Sequence, residues 1–176
     1  MNTSDTWNAA AARAINMIFN IFTFEYSEDS AAGLRKMRQN YDVVFFNYFQ
    51  KDAAVAGAGL SFINLGALAL AAAAREFSDF YTEEEITAVV CQKQADYGSD
   101  NIARFGRDGI LVRLHDKIAR LENLTAKAAV PNNESIKDNY LDVIGYCTVG
   151  SLWESGEFLL PLTVAESNEI TPLPQG

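Results

Sequence analysis

The sequence predicts a mostly α protein: a helical bundle with an extended C-terminal arm. Three observations predict it. Apolar residues recur at spacings of three and four through most of the chain. A capping box, Thr82-Glu-Glu-Glu85, stands directly before one such run. Glycine and proline punctuate the runs at Gly98, Gly106, Gly109 and Pro131. The 176 residues suit one domain, and 49% hydrophobic with 21% charged residues is a globular composition. The expected division is one helical domain over residues 1–150 and an arm over 151–176.

The first helix is expected over 7–24, with Trp7, Ile15, Ile18, Phe19 and Phe22 at helical spacings. Ser27 to Ser30 reads as a helix start, followed by Leu34, Met37 and Tyr41. The stretch Tyr41–Phe49 (YDVVFFNYF) is rich in β-branched and aromatic residues, but it continues a helical pattern and is read as helix.

From Ala53 to Ala74 no residue is charged, and a run of 22 residues is long enough to span a bilayer. Ten of the 22 are alanine and three are glycine, with Ser61 and Asn64 in the middle. The flanking charges Lys51, Asp52, Arg75 and Glu76 balance, so there is no topological bias. Small residues let helices approach closely. The run is therefore expected to be a buried central helix or a contact between copies in a homo-oligomer, and a membrane span is disfavoured.

After the capping box, Ile86, Val89 and Val90 face inward on a helix that stops at Gly98, a candidate left-handed cap. The segment SDNIARFGRDG reads as a loop, with Asp108 as N-cap of the next helix. That helix carries the seam Leu111, Leu114, Ile118 and Leu121. Asn132 or Asn133 is expected to cap a last helix with the stripe Ile136, Tyr140, Val143, Ile144 and Cys147. The arm from Ser151 holds Pro161, Pro172 and Pro174 and is expected to pack Trp153, Phe158 and Leu159 on the body.

The net charge of −9 argues against a general nucleic-acid binder. Cys91 and Cys147 sit in apolar runs, away from any metal-binding spacing, and read as buried reduced thiols. The N-terminus has no basic region leading into an apolar stretch, so a cytoplasmic location is expected.

Charge is unevenly distributed. From Lys93 to Lys127 there are seven basic and five acidic residues, so this span is positive within an acidic chain. Arg113, Asp116, Lys117 and Arg120 share one face of a helix. They read either as a solvated ion network or as a phosphate-binding face. Glu134, Asp138 and Asp142 recur at every fourth residue, and such carboxylates can share a hard cation such as Mg²⁺ or form a polar outer face. Asp96 lies at a helix C-terminus, where an acid opposes the helix dipole, so an arginine or metal partner is expected. Tyr97 is placed either to stack on a nucleobase or to join the core. His115, the only histidine, is a candidate acid/base group or a plain surface residue.

Three motifs in this order resemble one family. They are K-x-x-D-Y-G (Lys93, Asp96, Tyr97, Gly98), R-x-x-D-K-I-x-R-L-x-x-L from Arg113 to Leu124, and E-S-x-x-D-x-x-x-D-x-x-x-Y from Glu134 to Tyr146. Over about residues 80–150 they resemble the nucleotide modification associated domain type 1 family, found largely in phages and bacteria. The layout also has a distant look of the MazG-type all-α nucleotide pyrophosphohydrolases. Its four-residue acid spacing differs from the ExxE and ExxD pairs of that type.

The resemblance implies a phage-encoded nucleotide-metabolism protein that binds a nucleotide with Mg²⁺, with hydrolysis of the phosphoanhydride as its activity. It implies Asp116, Asp138 and Asp142 as catalytic residues and Glu134, Asp138 and Asp142 as metal ligands. Lys93, Tyr97, Arg113, Lys117 and Arg120 would hold the nucleotide. Two alternatives stay open: a non-catalytic nucleotide-binding or sequestering protein, and a structural virion or membrane-associated protein.

Overall fold

A computed structural model describes residues 6–23, 33–49, 58–127 and 135–163. Among them are seven helices and no strand: α1 (Trp7–Ile21), α2 (Leu34–Phe49), α3 (Ala58–Glu76), α4 (Glu83–Tyr97), α5 (Asp100–Ala103), α6 (Gly106–Lys127) and α7 (Ile136–Ser155). The mostly α expectation therefore holds.

The alanine-rich segment forms the middle of the bundle. Helix α3 packs against α1, α2 and α7, and all of its residues from Phe62 to Ala73 except Asn64 are buried. Small residues permit this closeness. A Cβ built on Gly66 would lie 2.6 Å from the Ile18 side chain of α1 and 3.3 Å from Cys147 of α7. One built on Gly150 of α7 would lie 2.7 Å from the Phe62 ring. Real Cβ atoms do not come so near, so glycine is what lets three helices meet here. No described helix is long and apolar enough to cross a membrane. Residues 53–57 of the uncharged run lie outside the described residues.

The apolar seams fall where helical periodicity puts them. Leu111, Leu114, Ile118 and Leu121 of α6 are all buried, as are Tyr140, Val143, Ile144 and Cys147 of α7. Each such aliphatic side chain removed from water contributes roughly 1.5–3 kcal/mol. Tyr41–Phe49 is helical, as read from the sequence. The Tyr41 hydroxyl donates to the Leu111 carbonyl at 2.9 Å, fastening α2 to α6, and burial there pushes the phenol pKa up to about 12. Cys147 is buried, but Cys91 is only half-buried; both are free thiols.

Several helix ends differ from expectation. Thr82 and Glu85 form the expected reciprocal box. The segment read as a loop contains the short α5, whose Ile102 is buried. Helix α6 starts at Gly106, so Asp108 lies inside its first turn instead of capping it. Ser135 caps α7 and Asp138 completes a second capping box, while Asn132 and Asn133 lie outside the described residues. Gly98 has the expected positive φ of 66°, but its ψ of −171° is extended and not left-handed helical. The start read at 27–30 lies outside the described residues, and α2 begins at Leu34.

The arm begins later than expected. Helix α7 continues through Ser155 and stops at Gly156, which adopts the left-handed conformation. Residues 157–163 then return over the body. Phe158 is buried against Trp153, whereas Leu159 stays largely exposed. The Pro161 carbonyl accepts from the Trp7 amide at 2.9 Å, and the Thr163 amide donates to Asn8 Oδ1 at 2.8 Å. The chain following α7 thereby satisfies a donor that the start of α1 leaves open.

Candidate functional site: a cleft between three helices

Helix α7 is flanked by α6 on one side and α4 on the other. Between them opens a cleft of about 370 Å³. Its apolar floor comes from Val89 and Val90 of α4 and from Leu141 and Val149 of α7. Gly145 lies on the α7 wall, and its missing side chain leaves the cleft open. The polar lining comes from residues far apart in sequence: Lys93 and Tyr97 of α4, Arg113, Asp116 and Lys117 of α6, and Asp142 of α7.

These are six of the residues singled out from the sequence, brought to one place by three helices. The cause is periodicity. Lys93 and Tyr97 are four apart on α4, as are Arg113 and Lys117 on α6, so each pair projects from one side of its helix.

Asp142 joins the two walls. Its Oδ2 lies 2.7 Å from Lys117 Nζ of α6, and its Oδ1 pairs with Lys93 Nζ of α4. The carboxylate is only 12% exposed, which makes it the most enclosed charge of the three. Arg113 is exposed and has no carboxylate within ion-pair distance among the described residues. Lys93, Arg113 and Lys117 against Asp116 and Asp142 leave the cleft with one net positive charge. Tyr97, 71% exposed, forms part of the rim and does not join the core. Burial raises the pKa of the Tyr146 phenol, which the nearby Arg113, Lys117 and Lys93 only partly oppose. Tyr146, one of the cleft-lining residues, is therefore protonated at neutral pH.

Other sequence candidates lie elsewhere. Asp138 belongs to the α7 cap: its Oδ2 accepts from the Ser135 amide at 3.1 Å and the Ser135 hydroxyl at 2.7 Å. Those bonds hold its pKa below the usual carboxylate range against the opposing effect of burial. Arg120 is not among the residues that line the cleft. Asp96 accepts from its own helix, with Gln92 Nε2 at 2.8 Å from its Oδ1. His115 lies on the opposite side of α6, between α6 and α2. Its Nδ1 is 3.2 Å from Arg38 Nη1, and Arg38 is held bidentate by Glu122. An arginine only donates, so in this contact His115 Nδ1 stands as the acceptor. Glu134 lies outside the described residues.

Of the carboxylates implied for Mg²⁺, Asp138 and Asp142 are engaged by protein groups, and Glu134 lies outside the described residues. Asp138 is used by the cap, Asp142 by two lysines, and no group of three or more acidic, histidine or cysteine side chains suited to a metal occurs among the described residues. Mg²⁺ takes oxygen ligands, and two ammonium groups on the same carboxylate oppose it.

Sequence reasoning missed Gln94, Asn101, Gly145 and Tyr146 as lining residues. Gly145 lies three residues beyond Asp142, and Tyr146 continues the four-residue spacing of the acids. A glycine in mid-helix was the available signal for a close approach or an opening.

No family model, curated protein or solved structure matches the chain.

Proposed function

We propose that the cleft binds a small phosphorylated compound, best described as a nucleotide, without requiring a divalent metal. The observation that carries this reading is the convergence of Lys93, Lys117 and Arg113 on one concave site beside an exposed tyrosine. Cationic donors suit phosphate oxygens, and Arg113 has a fork that matches them in bidentate fashion. An aromatic ring on the rim suits a planar base. The size lies within the roughly 300–1,000 Å³ of small-molecule sites. The resemblance to the nucleotide modification associated family points in the same direction.

The binding role accounts for the lysine-held Asp142 better than phosphoanhydride hydrolysis does, since hydrolysis would call for free carboxylates. A homo-oligomer and a phage origin remain part of this proposal through the sequence resemblance and the small-residue segment.

The test is a thermal-shift panel of nucleotides, each with EDTA and with excess Mg²⁺. A ligand that binds only the folded state raises the melting temperature. The reading expects stabilisation in EDTA by at least one phosphorylated nucleoside, and none by the parent nucleoside at equal concentration. Stabilisation only with Mg²⁺, accompanied by phosphate or pyrophosphate release, would replace binding with the hydrolytic alternative. No response from any nucleotide would refute both.

A further inference from the structure

The Asp142 carboxylate occupies the space between two ammonium groups that come from different helices. It is enclosed, it is fixed to the α7 wall, and both its oxygens are engaged. Such a group is an acidic neighbour for any ligand that the two lysines hold. An incoming phosphate shares Lys93 and Lys117 with it and adds Arg113, instead of finding two unpaired lysines. The cleft without ligand has only one net positive charge, so each further phosphate on the ligand meets no cationic surplus, and Asp116 and Asp142 are its negative neighbours.

We infer that Asp142 sets the charge the cleft accepts, so that the site takes a nucleoside monophosphate or a similarly compact, singly phosphorylated ring compound and discriminates against triphosphates. The inference rests on the reading of the cleft as a phosphate site. A phosphomonoester carries about −1.5 to −2 at neutral pH, which already slightly exceeds the one net positive charge of the cleft. Triphosphates add charge that nothing described in the cleft neutralises, and like charges brought together are a known route to specificity. Volume acts in the same direction, because about 370 Å³ lies toward the small end of ligand sites.

The experiment is calorimetric titration, in EDTA, of wild type, Asp142→Asn and Lys93→Gln with the mono-, di- and triphosphates of the common nucleosides. Wild type is expected to lose affinity as phosphates are added. Asp142→Asn raises the cleft to two net positive charges, so triphosphate affinity should rise by about tenfold, the scale of one partly screened charge interaction. Monophosphate affinity should rise less. Lys93→Gln, at a half-exposed position that tolerates change, lowers the net charge to zero and should widen the gap between mono- and triphosphate. It also keeps the test decisive if Asp142→Asn fails to fold.

Wild type that prefers triphosphates overturns the inference while leaving the phosphate site standing. So does an Asp142→Asn protein that weakens on every ligand alike, or a Lys93→Gln protein whose mono-to-triphosphate ratio is unchanged. Wild type that binds no member of the series refutes the phosphate site itself, and the inference with it.

Discussion

Lys117 of α6 and Asp142 of α7 meet at 2.7 Å across the wall of the cleft, and the same carboxylate pairs with Lys93 of α4. One acidic side chain thereby ties together the three helices that shape the site. The pairing also explains why an acid near the middle of α7 is enclosed: it is hydrogen-bonded by two cations, which offsets its loss of water.

Arg113 should act on binding and not on folding. It is exposed and has no ion-pair partner among the described residues, so Arg113→Ala should leave the melting temperature within about a degree or two, as surface changes usually do. A hydrogen bond to an ionised phosphate is worth roughly 1.5–3 kcal/mol, so nucleotide affinity should fall at least about tenfold. Titration and a melting curve on the same preparation measure both. A variant that binds normally but melts early would make Arg113 structural.

Gly145 separates the two effects in the other direction. A Cβ added there meets only Val90, at an ordinary 3.6 Å. Gly145→Ala should therefore stabilise the protein by up to about 1 kcal/mol through helix propensity. Gly145→Leu should fill the cleft and abolish nucleotide binding with the fold intact. Retained binding by the leucine variant would move the ligand elsewhere.

Gly150 should show the opposite behaviour. Its Cβ would fall 2.7 Å from the Phe62 ring in the most closely packed part of the core. Gly150→Val should cost about 1–3 kcal/mol by overpacking, read as a lower urea midpoint. An unchanged midpoint would mean that α3 and α7 separate more readily than their packing implies.

Asp138 should matter for stability alone. Asp138→Ala removes half of the α7 capping box and should cost about 0.5–2 kcal/mol, with nucleotide affinity unchanged. The sign of its pH dependence follows from its lowered folded pKa. Its contribution is present above the unfolded value of about 3.9 and fades as pH falls through the lower folded value. Wild type and variant should thus converge in stability in strong acid. A variant that loses nucleotide binding at neutral pH would restore Asp138 to the site.

Much of this architecture was legible in the sequence because periodicity is local. The seam from Leu111 to Leu121, the Thr82–Glu85 box and the buried alanine-rich helix all follow from patterns within a few turns of chain. So do the residues of the cleft, one pair at a time: Lys93 with Tyr97, and Arg113 with Lys117. What spacing could not supply is the distribution of Asp138 and Asp142. Four residues apart on one helix, they look like a pair of ligands. Residues distant in sequence and a local cap divide them, with Lys93 and Lys117 taking one and Ser135 the other. The Ser135-x-x-Asp138 spacing is itself a capping signature, and it competes directly with the metal reading of the same acid. His115 was ambiguous for the same reason, since its partner Arg38 lies 77 positions away.

The most direct measurement of the central claim is amide chemical-shift mapping with a nucleoside monophosphate in EDTA. The expectation is saturable shifts concentrated at Lys93–Tyr97 of α4, Arg113–Lys117 of α6 and Asp142–Tyr146 of α7, with α1 and the Arg38–His115 side of α6 little changed. Saturable shifts centred anywhere else, or none at millimolar nucleotide, would contradict it.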